Sequence, residues 1–256
     1  MTDRAILHHP PVPPGRIVPY GPLPHQVYEV VGEPVGASGW VVLVHGGFWR
    51  AAWDRAHLRP LALALAAEGY AVALLEYART GMEHGGWDGT FRDVAAALAA
   101  TGLETGEAPV VLVGHSAGGH LAAWLLHQPE ARAVRGLRGA VCLAGCLDLT
   151  MVAELGLDDG AAQDLVGGTP RTHPARYDRA DPARLGRSPY PVVVVHGSAD
   201  EAVPPEVSRS WWERCATPGR DRLDVLDGVG HFALVDPAAA AHPVLLAHVT
   251  RLLAPR

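Results

Sequence analysis

Three side-chain types that together can carry out acyl transfer occur in this chain in a telling order: a serine, a carboxylate and a histidine. The segment VVLVGHSAGGHLAAWLL holds Gly114-x-Ser116-x-Gly118 directly after an apolar run and directly before a helical pattern. A serine in a sharp strand-to-helix turn, flanked by small residues that avoid the neighbouring chain, is the nucleophile-elbow arrangement. The helix that follows aims its positive N-terminal end at the point where negative charge develops. Such a serine needs a base to take its proton and an acid to orient that base. In the elbow arrangement the acid and then the histidine follow the serine along the chain. Downstream, VVVVHGSADEAVP places Asp200 just past an apolar run, and VLDGVGHFALVDP places His231 in a glycine-flanked loop after a weaker one. Asp148, in GAVCLAGCLD, is the rival acid because it too follows a strand; Asp200 is favoured over it. Glu201 is adjacent but points differently from the same turn.

The run VVLVHGGFWR adds a His-Gly-Gly turn at a strand end. Backbone N–H groups in such a turn can reach an oxyanion unobstructed by side chains. Gly47 and Phe48 are the expected donors, joined by the amide of Ala117 after the nucleophile, with His45 bracing the loop. Trp49, Trp53 and Trp87 lie in loops near this turn or after a strand end, where pocket and packing roles are both open; Trp49 and Trp87 are expected to bind substrate. Other polar positions read more plainly. His8 and His9 read as surface residues of a proline-rich arm. His115 and His120 do not share a helix face, so no metal pair is expected. Cys142 and Cys146 read as core thiols, and Trp211 and Trp212 as packing residues on a helix.

The elements that must position these groups are legible as alternating patterns. Continuously apolar runs at 40–45, 70–77, 109–115, 139–145 and 191–197, with a weaker one ending at Gly228, read as strands buried on both faces of a parallel sheet. Helical patterns lie between and after them at 56–68, 90–100, 117–127, 205–215 and 243–253. The alternation predicts an α/β fold, a mostly parallel sheet with helices on both faces, in one domain over 1–256. Residues 1–26 form a Pro-rich N-terminal arm, expected to be extended along the surface. Residues 147–188, about forty residues rich in Asp, Arg, Gly and Pro, interrupt the rhythm and are expected to form a cap insertion over the strand ends.

Composition removes other chemistries. All 21 basic residues are arginine, and the chain has neither lysine nor asparagine. Schiff-base, Ser-Lys and P-loop mechanisms therefore lack their amine, and a Cys-His-Asn triad lacks its amide. The net charge of −6 gives no cationic face for nucleic acid. Three cysteines, odd in number, fit buried thiols in a reducing compartment better than a disulfide framework. The segment MTDRAILHHPPVPPG lacks the apolar stretch of a signal peptide, and no run reaches the roughly 18 apolar residues of a membrane span. A cytoplasmic protein with no membrane partner, no metal and no cofactor is expected, with a homodimer left open. Any selectivity of the cap for anionic substrates would come from Arg171, Arg176, Arg179, Arg184 or Arg187.

These motifs resemble those of the α/β-hydrolases. Within that superfamily HGGFW resembles the HGGxW signature of arylformamidases (kynurenine formamidases) and related small carboxylesterases. GHSAGGHLA is similar to the arylformamidase elbow GHSAGAHLA, with Gly119 in place of the usual alanine, as in carboxylesterases. GVGHFALVDP resembles the family's histidine loop, and the similarity runs from about Trp40 to Leu253. The resemblance implies the α/β-hydrolase fold with Ser116 as nucleophile, His231 as base and Asp200 as orienting acid. The activity implied is cleavage of a small-molecule carboxylic ester or activated amide, such as an N-formyl arylamine, through an acyl-enzyme. An acyltransferase or cyclase would use the same acyl-enzyme, and a non-catalytic binding protein could keep the pocket on this fold.

Overall fold

Runs such as WVVLV and AVALL have no polar residue to offer water on either face, so each must be covered on both. A computed structural model, describing residues 4–255, shows how this is achieved; Met1 to Asp3 and Arg256, the ends of the expected 1–256 domain, lie outside the described residues. Eight strands form one sheet: β1 (Arg16–Pro19), β2 (Val27–Val31), β3 (Trp40–Val44), β4 (Ala71–Leu75), β5 (Val110–His115), β6 (Leu137–Leu143), β7 (Val192–Gly197) and β8 (Arg222–Leu226). Their order is β1-β2-β4-β3-β5-β6-β7-β8. β1 and β2 pair antiparallel with each other, as β2 does with β4; the remaining pairs are parallel.

Successive side chains of a strand point to opposite faces, and β3 divides accordingly. Val42 and Val44 join a core that includes Val94 and Leu98 of α2 (Gly89–Thr105) and Leu121 of α3 (Ala117–Leu125). Val41 and Leu43 join the core on the other face, with Leu61 and Leu65 of α1 (Arg59–Ala67) and Leu245 and Val249 near the C-terminus. After α3 the chain forms a short helix, α4 (Pro129–Ala133), before β6. Helix α9 (Pro205–Cys215) follows β7, and α10 (His242–Leu253) ends the described chain.

The expected helices are present with small changes of boundary; the first is split into a 3-10 turn at Arg55–Leu58 and α1. The N-terminal arm differs more from its expected form. It carries a 3-10 turn at Ala5–His8, and β1 extends the sheet within the proline-rich stretch. Proline is tolerated there because β1 is an edge strand.

Residues 147–188 fold into four short helices, α5 (Leu149–Glu154), α6 (Leu157–Val166), α7 (Pro174–Ala180) and α8 (Pro182–Leu185). One buried carboxylate, between α7 and α8, staples α5 to the start of α8. Asp181 accepts hydrogen bonds from the amides of Leu149 (3.0 Å), Thr150 (2.9 Å) and Ala183 (3.0 Å) and from the Thr150 hydroxyl (2.7 Å). The insertion is tied to α3 by His120 Nε2 and Trp124 Nε1, which donate to the carbonyls of Ala180 and Arg179, each at 2.8 Å.

Candidate active site

After β3 the chain crosses to β4 on one side, and β5 then pairs with the other side of β3. A reversal of this kind opens a crevice at the carboxyl ends of the two strands. The Gly46-Gly47 turn and Ser116 leave from those two ends and meet there. A Cβ on Gly46 would come within 2.9 Å of the Ser116 Cβ, and one on Gly118 within 2.1 Å of the Val44 carbonyl oxygen. Gly114 is equally confined, because its Cβ would lie 2.1 Å from the Gly118 oxygen. The small residues around Ser116 are thus required by the approach of β3 and α3. Ser116 itself has φ 56° and ψ −121°, a conformation costly for a residue with a Cβ. It is held there by its amide, which donates to Leu143 O at 2.8 Å, and by its carbonyl, which accepts from the Cys146 amide at 3.3 Å.

Asp200 and His231 arrive from β7 and β8. A Cβ on Gly197 would meet the Val229 oxygen at 2.0 Å, so the turn after β7 lies directly against the histidine loop. His231 Nδ1 donates to Asp200 Oδ2 at 2.6 Å. The other carboxylate oxygen accepts from the amides of Ala202 (2.9 Å) and Val203 (2.8 Å). Burial alone would push the Asp200 carboxyl up. Hydrogen bonds from His196 and His231, the positive field of His231 and the Val203 amide overcome it and hold the group below the usual carboxylate range. A carboxylate at Nδ1 fixes the proton on that nitrogen and leaves Nε2 as the acceptor.

Two further histidines support this pair, and the sequence reading did not assign them this role. His115 Nε2 donates to the His231 carbonyl at 3.0 Å, and the two rings lie 4.5 Å apart. His196 Nε2 lies 2.8 Å from Val203 O and 3.3 Å from Asp200 Oδ2, while its Nδ1 is 2.7 Å from Ser208 Oγ. Their signal was the position of each close to a candidate site residue, His115 one before Ser116 and His196 four before Asp200.

The turn after β3 runs through three consecutive positive φ values: Gly47 (104°), Phe48 (48°) and Trp49 (56°). The amides of Gly47 and Phe48 donate to no protein acceptor among the described residues, and Ala117, as the first residue of α3, has no intrahelical acceptor. His45 underpins the turn. Its ring stacks on Tyr77 at 4.3 Å, with Nδ1 2.8 Å from Gly46 O and Nε2 2.9 Å from Glu76 Oε1. Glu76 also meets Arg55 and Arg79, while Glu29, fully buried, meets Arg55 and Arg59. Burial pushes the Glu76 carboxyl up, but His45, Arg79 and the Tyr77 amide outweigh it and lower it to about 2 from 4.5.

A lowered carboxyl pKa stabilises the fold above the unfolded value, and that stability is lost as pH falls from about 4.5 through about 2. Glu76→Gln is therefore expected to destabilise the protein at pH 7 by about 3–5 kcal/mol, because Arg55, Arg79 and His45 keep their burial and lose the charge they face. It also flattens the acid limb of the stability curve in this window. Urea melts at pH 7 and pH 3 measure both effects, and equal stability of variant and parent at pH 7 would contradict this account.

Ser116 and His231 share a cavity of about 120 Å³, lined also by Phe48, Trp53, His57, His115 and Phe232, with Gly47, Ala202, Arg4 and Asp158 completing it. The two tryptophans expected to bind substrate are not in its lining. Trp49 is fully buried beneath the turn and packs edge-on to His120. Three left-handed residues in succession turn its ring inward, and Trp53, which follows in the same loop, lines the cavity. Trp87 sits with Phe91 and Trp124 in a separate depression of about 540 Å³, larger than the cavity but lined by none of Ser116, Asp200 and His231. The arginines of the insertion also lie away from the cavity: Arg176 and Arg179 cover the Trp87 ring, and Arg184 pairs with Asp178. The insertion's contribution to the cavity is Asp158, which Arg50 ties to the oxyanion turn by bonds to Asp158 and Asp164. Asp148, the rival acid, caps α5 through the Met151 amide and binds Ser210 and Arg214, while the Nδ1 of His231 is taken by Asp200.

A family model described as BD-FAE matches residues 33–214. Esterase LipC of Mycobacterium tuberculosis is 28% identical over 261 residues, an alignment covering 90% of this chain, which spans 64% of the length of that relative. Among solved structures, a truncated form of carbohydrate esterase from gut microbiota superposes with a TM-score of 0.79 at 17% identity, covering 95% of this chain and 97% of that one. Esterase B from Lactobacillus rhamnosis gives 0.76 at 18% identity, covering 98% and 89%. Esterase 2 of Thermogutta terrifontis, in the form phosphonylated by sarin, gives 0.74 at 18% identity, covering 96% and 99%. At these identities the superpositions speak to the fold.

Proposed function

The chain belongs to the BD-FAE family and has the α/β-hydrolase fold, and from that premise we propose that it is a serine hydrolase of the esterase type, acting on a small carboxylic ester or an activated amide such as an N-formyl arylamine. The observation that carries this reading is the 2.6 Å bond from His231 Nδ1 to Asp200, with His231 and Ser116 lining one cavity beside the unpaired turn amides. His231 Nε2 takes the Ser116 proton as Oγ attacks the carbonyl carbon, and the oxygen, now negative, is received by the amides of Ala117 and of Gly47 or Phe48. His231 returns that proton to the leaving alcohol or amine. Water, deprotonated by the same nitrogen, then releases the acid from the acyl-enzyme.

A cavity of about 120 Å³ walled by Phe48, Trp53 and Phe232 fits a short acyl or formyl group better than a long chain. The test combines a fluorophosphonate probe with p-nitrophenyl acetate, butyrate and octanoate and with N-formylkynurenine. Labelling is expected on the peptide containing Ser116. Acetate or butyrate is expected to exceed octanoate in kcat/KM by about tenfold or more, a discrimination within the reach of pocket size. Preference for the formamide over every ester would narrow the substrate class to N-formyl arylamines. Labelling confined to other residues, or no turnover of any of these compounds, would refute the proposal.

A further inference from the structure

Among the aromatic walls of the cavity stands one ring whose hydrogen-bonding state is fixed by its surroundings. His57 Nδ1 lies 2.6 Å from the carbonyl oxygen of Asp54, an acceptor, so that nitrogen carries the proton. The ring is set edge-on to Trp53 (5.8 Å, 81°) and to His45 (5.9 Å, 86°), which fixes its plane. Burial and the neighbouring His45 charge lower its pKa to about 4, so it is neutral at pH 7. In a neutral ring with Nδ1 protonated, Nε2 carries a lone pair. No protein group among the described residues bonds to that nitrogen, nor is it among the sealed, unpartnered polar atoms.

We propose that His57 Nε2 is a specificity-determining acceptor, and that the enzyme favours substrates carrying a hydroxyl or N–H group a few atoms from the scissile carbonyl. This deepens the serine-hydrolase reading and rests on it. The cavity, about 120 Å³, holds about four water-sized groups, so a donor that reaches His57 must lie close to the reacting carbon. A substrate with only methylenes there leaves the lone pair without its water or its partner. A carboxylate at the same point meets a lone pair with its own negative charge and is disfavoured.

The experiment uses two matched pairs, p-nitrophenyl butyrate against p-nitrophenyl 3-hydroxybutyrate for the acyl side, and ethyl butyrate against 2-hydroxyethyl butyrate for the alcohol side. The native enzyme is expected to give the hydroxylated member of at least one pair a kcat/KM roughly three- to tenfold higher, the worth of one neutral hydrogen bond. His57→Phe keeps a ring without an acceptor and is expected to bring that ratio to about one. His57→Gln can donate to Asp54 O and present its own oxygen to the cavity, so it restores part of the ratio, which a purely structural role for the ring would not predict. Ratios near one for both pairs in the native enzyme, or a ratio that survives His57→Phe, overturn the proposal. Ser116→Ala run on the same substrates separates the two levels: turnover retained there refutes the serine-hydrolase reading itself, and the His57 role with it.

Discussion

Replacing Ser116 with alanine is expected to lower kcat on the best p-nitrophenyl ester by about a millionfold, the scale on which losing a nucleophilic serine removes the whole covalent pathway. No neighbouring group can take over. Cys146, whose amide bonds to the Ser116 carbonyl, is a thiol beside the serine, but burial and the Asp200 charge push its pKa up, so it supplies no thiolate. The alanine keeps the backbone conformation that Ser116 already adopts, so the substitution adds no Cβ clash at φ 56°. What survives is the contribution of the turn amides and of binding, roughly 10³–10⁴ over water in enzymes of this mechanism. Circular dichroism confirms the fold and stopped assays measure the rate; a variant within tenfold of the parent would end the assignment of Ser116.

The second large effect is expected at Asp200. Asp200→Asn preserves shape and keeps an oxygen for the Ala202 and Val203 amides, which then turns the new NH₂ toward His231. Imidazole answers by moving its proton to Nε2, the nitrogen that must be bare to accept from Ser116. The predicted fall in kcat is about 10⁴-fold with little change in KM, the size seen when a catalytic histidine is held in the wrong tautomer. A low-field proton resonance from the 2.6 Å Nδ1–H bond should be present in the parent and absent from the variant. The matching change at the other strand-end carboxylate, Asp148→Asn, alters a helix cap and an ion pair with Arg214, and its kcat should stay near that of the parent. Comparable losses at both positions would mean that neither acid is specifically coupled to the base.

The parts of this molecule most legible in its sequence are those whose physics is local. A strand buried on both faces must be apolar throughout, so β3 to β7 stand out, and a turn pressed between two strands and a helix must be glycine-rich, so Ser116 stands out. The residues flanking them in space are harder to read. β1 and β2 are partly exposed and lie beyond β4 in the sheet, and their pairing depends on partners far along the chain. The fate of Trp49 and Trp53 was illegible for a different reason: a loop has no period, so which ring enters the cavity is decided by three successive φ values that no pattern of hydrophobicity encodes. The charges under the oxyanion turn are drawn from Glu29, His45, Arg55, Arg59, Glu76 and Arg79, scattered through the sequence and neighbours in the fold. Composition excluded lysine chemistry but did not reveal that the insertion's arginines would lie away from Ser116.

The strand order also has a consequence for how firmly each reacting group is mounted. Ser116 directly follows β5, which is held by β3 and β6 and buried along its whole length. His231 follows β8, which has β7 as its one neighbour in the sheet and is open to solvent along part of its length. Local opening starts where burial is thinnest, so the fringe of the sheet loosens before its centre. In the proposed mechanism His231, the proton carrier that turns from the serine to the departing group within one catalytic cycle, hangs from that fringe. Ser116, the proposed nucleophile that must stay still while a bond forms on it, is set in the keystone.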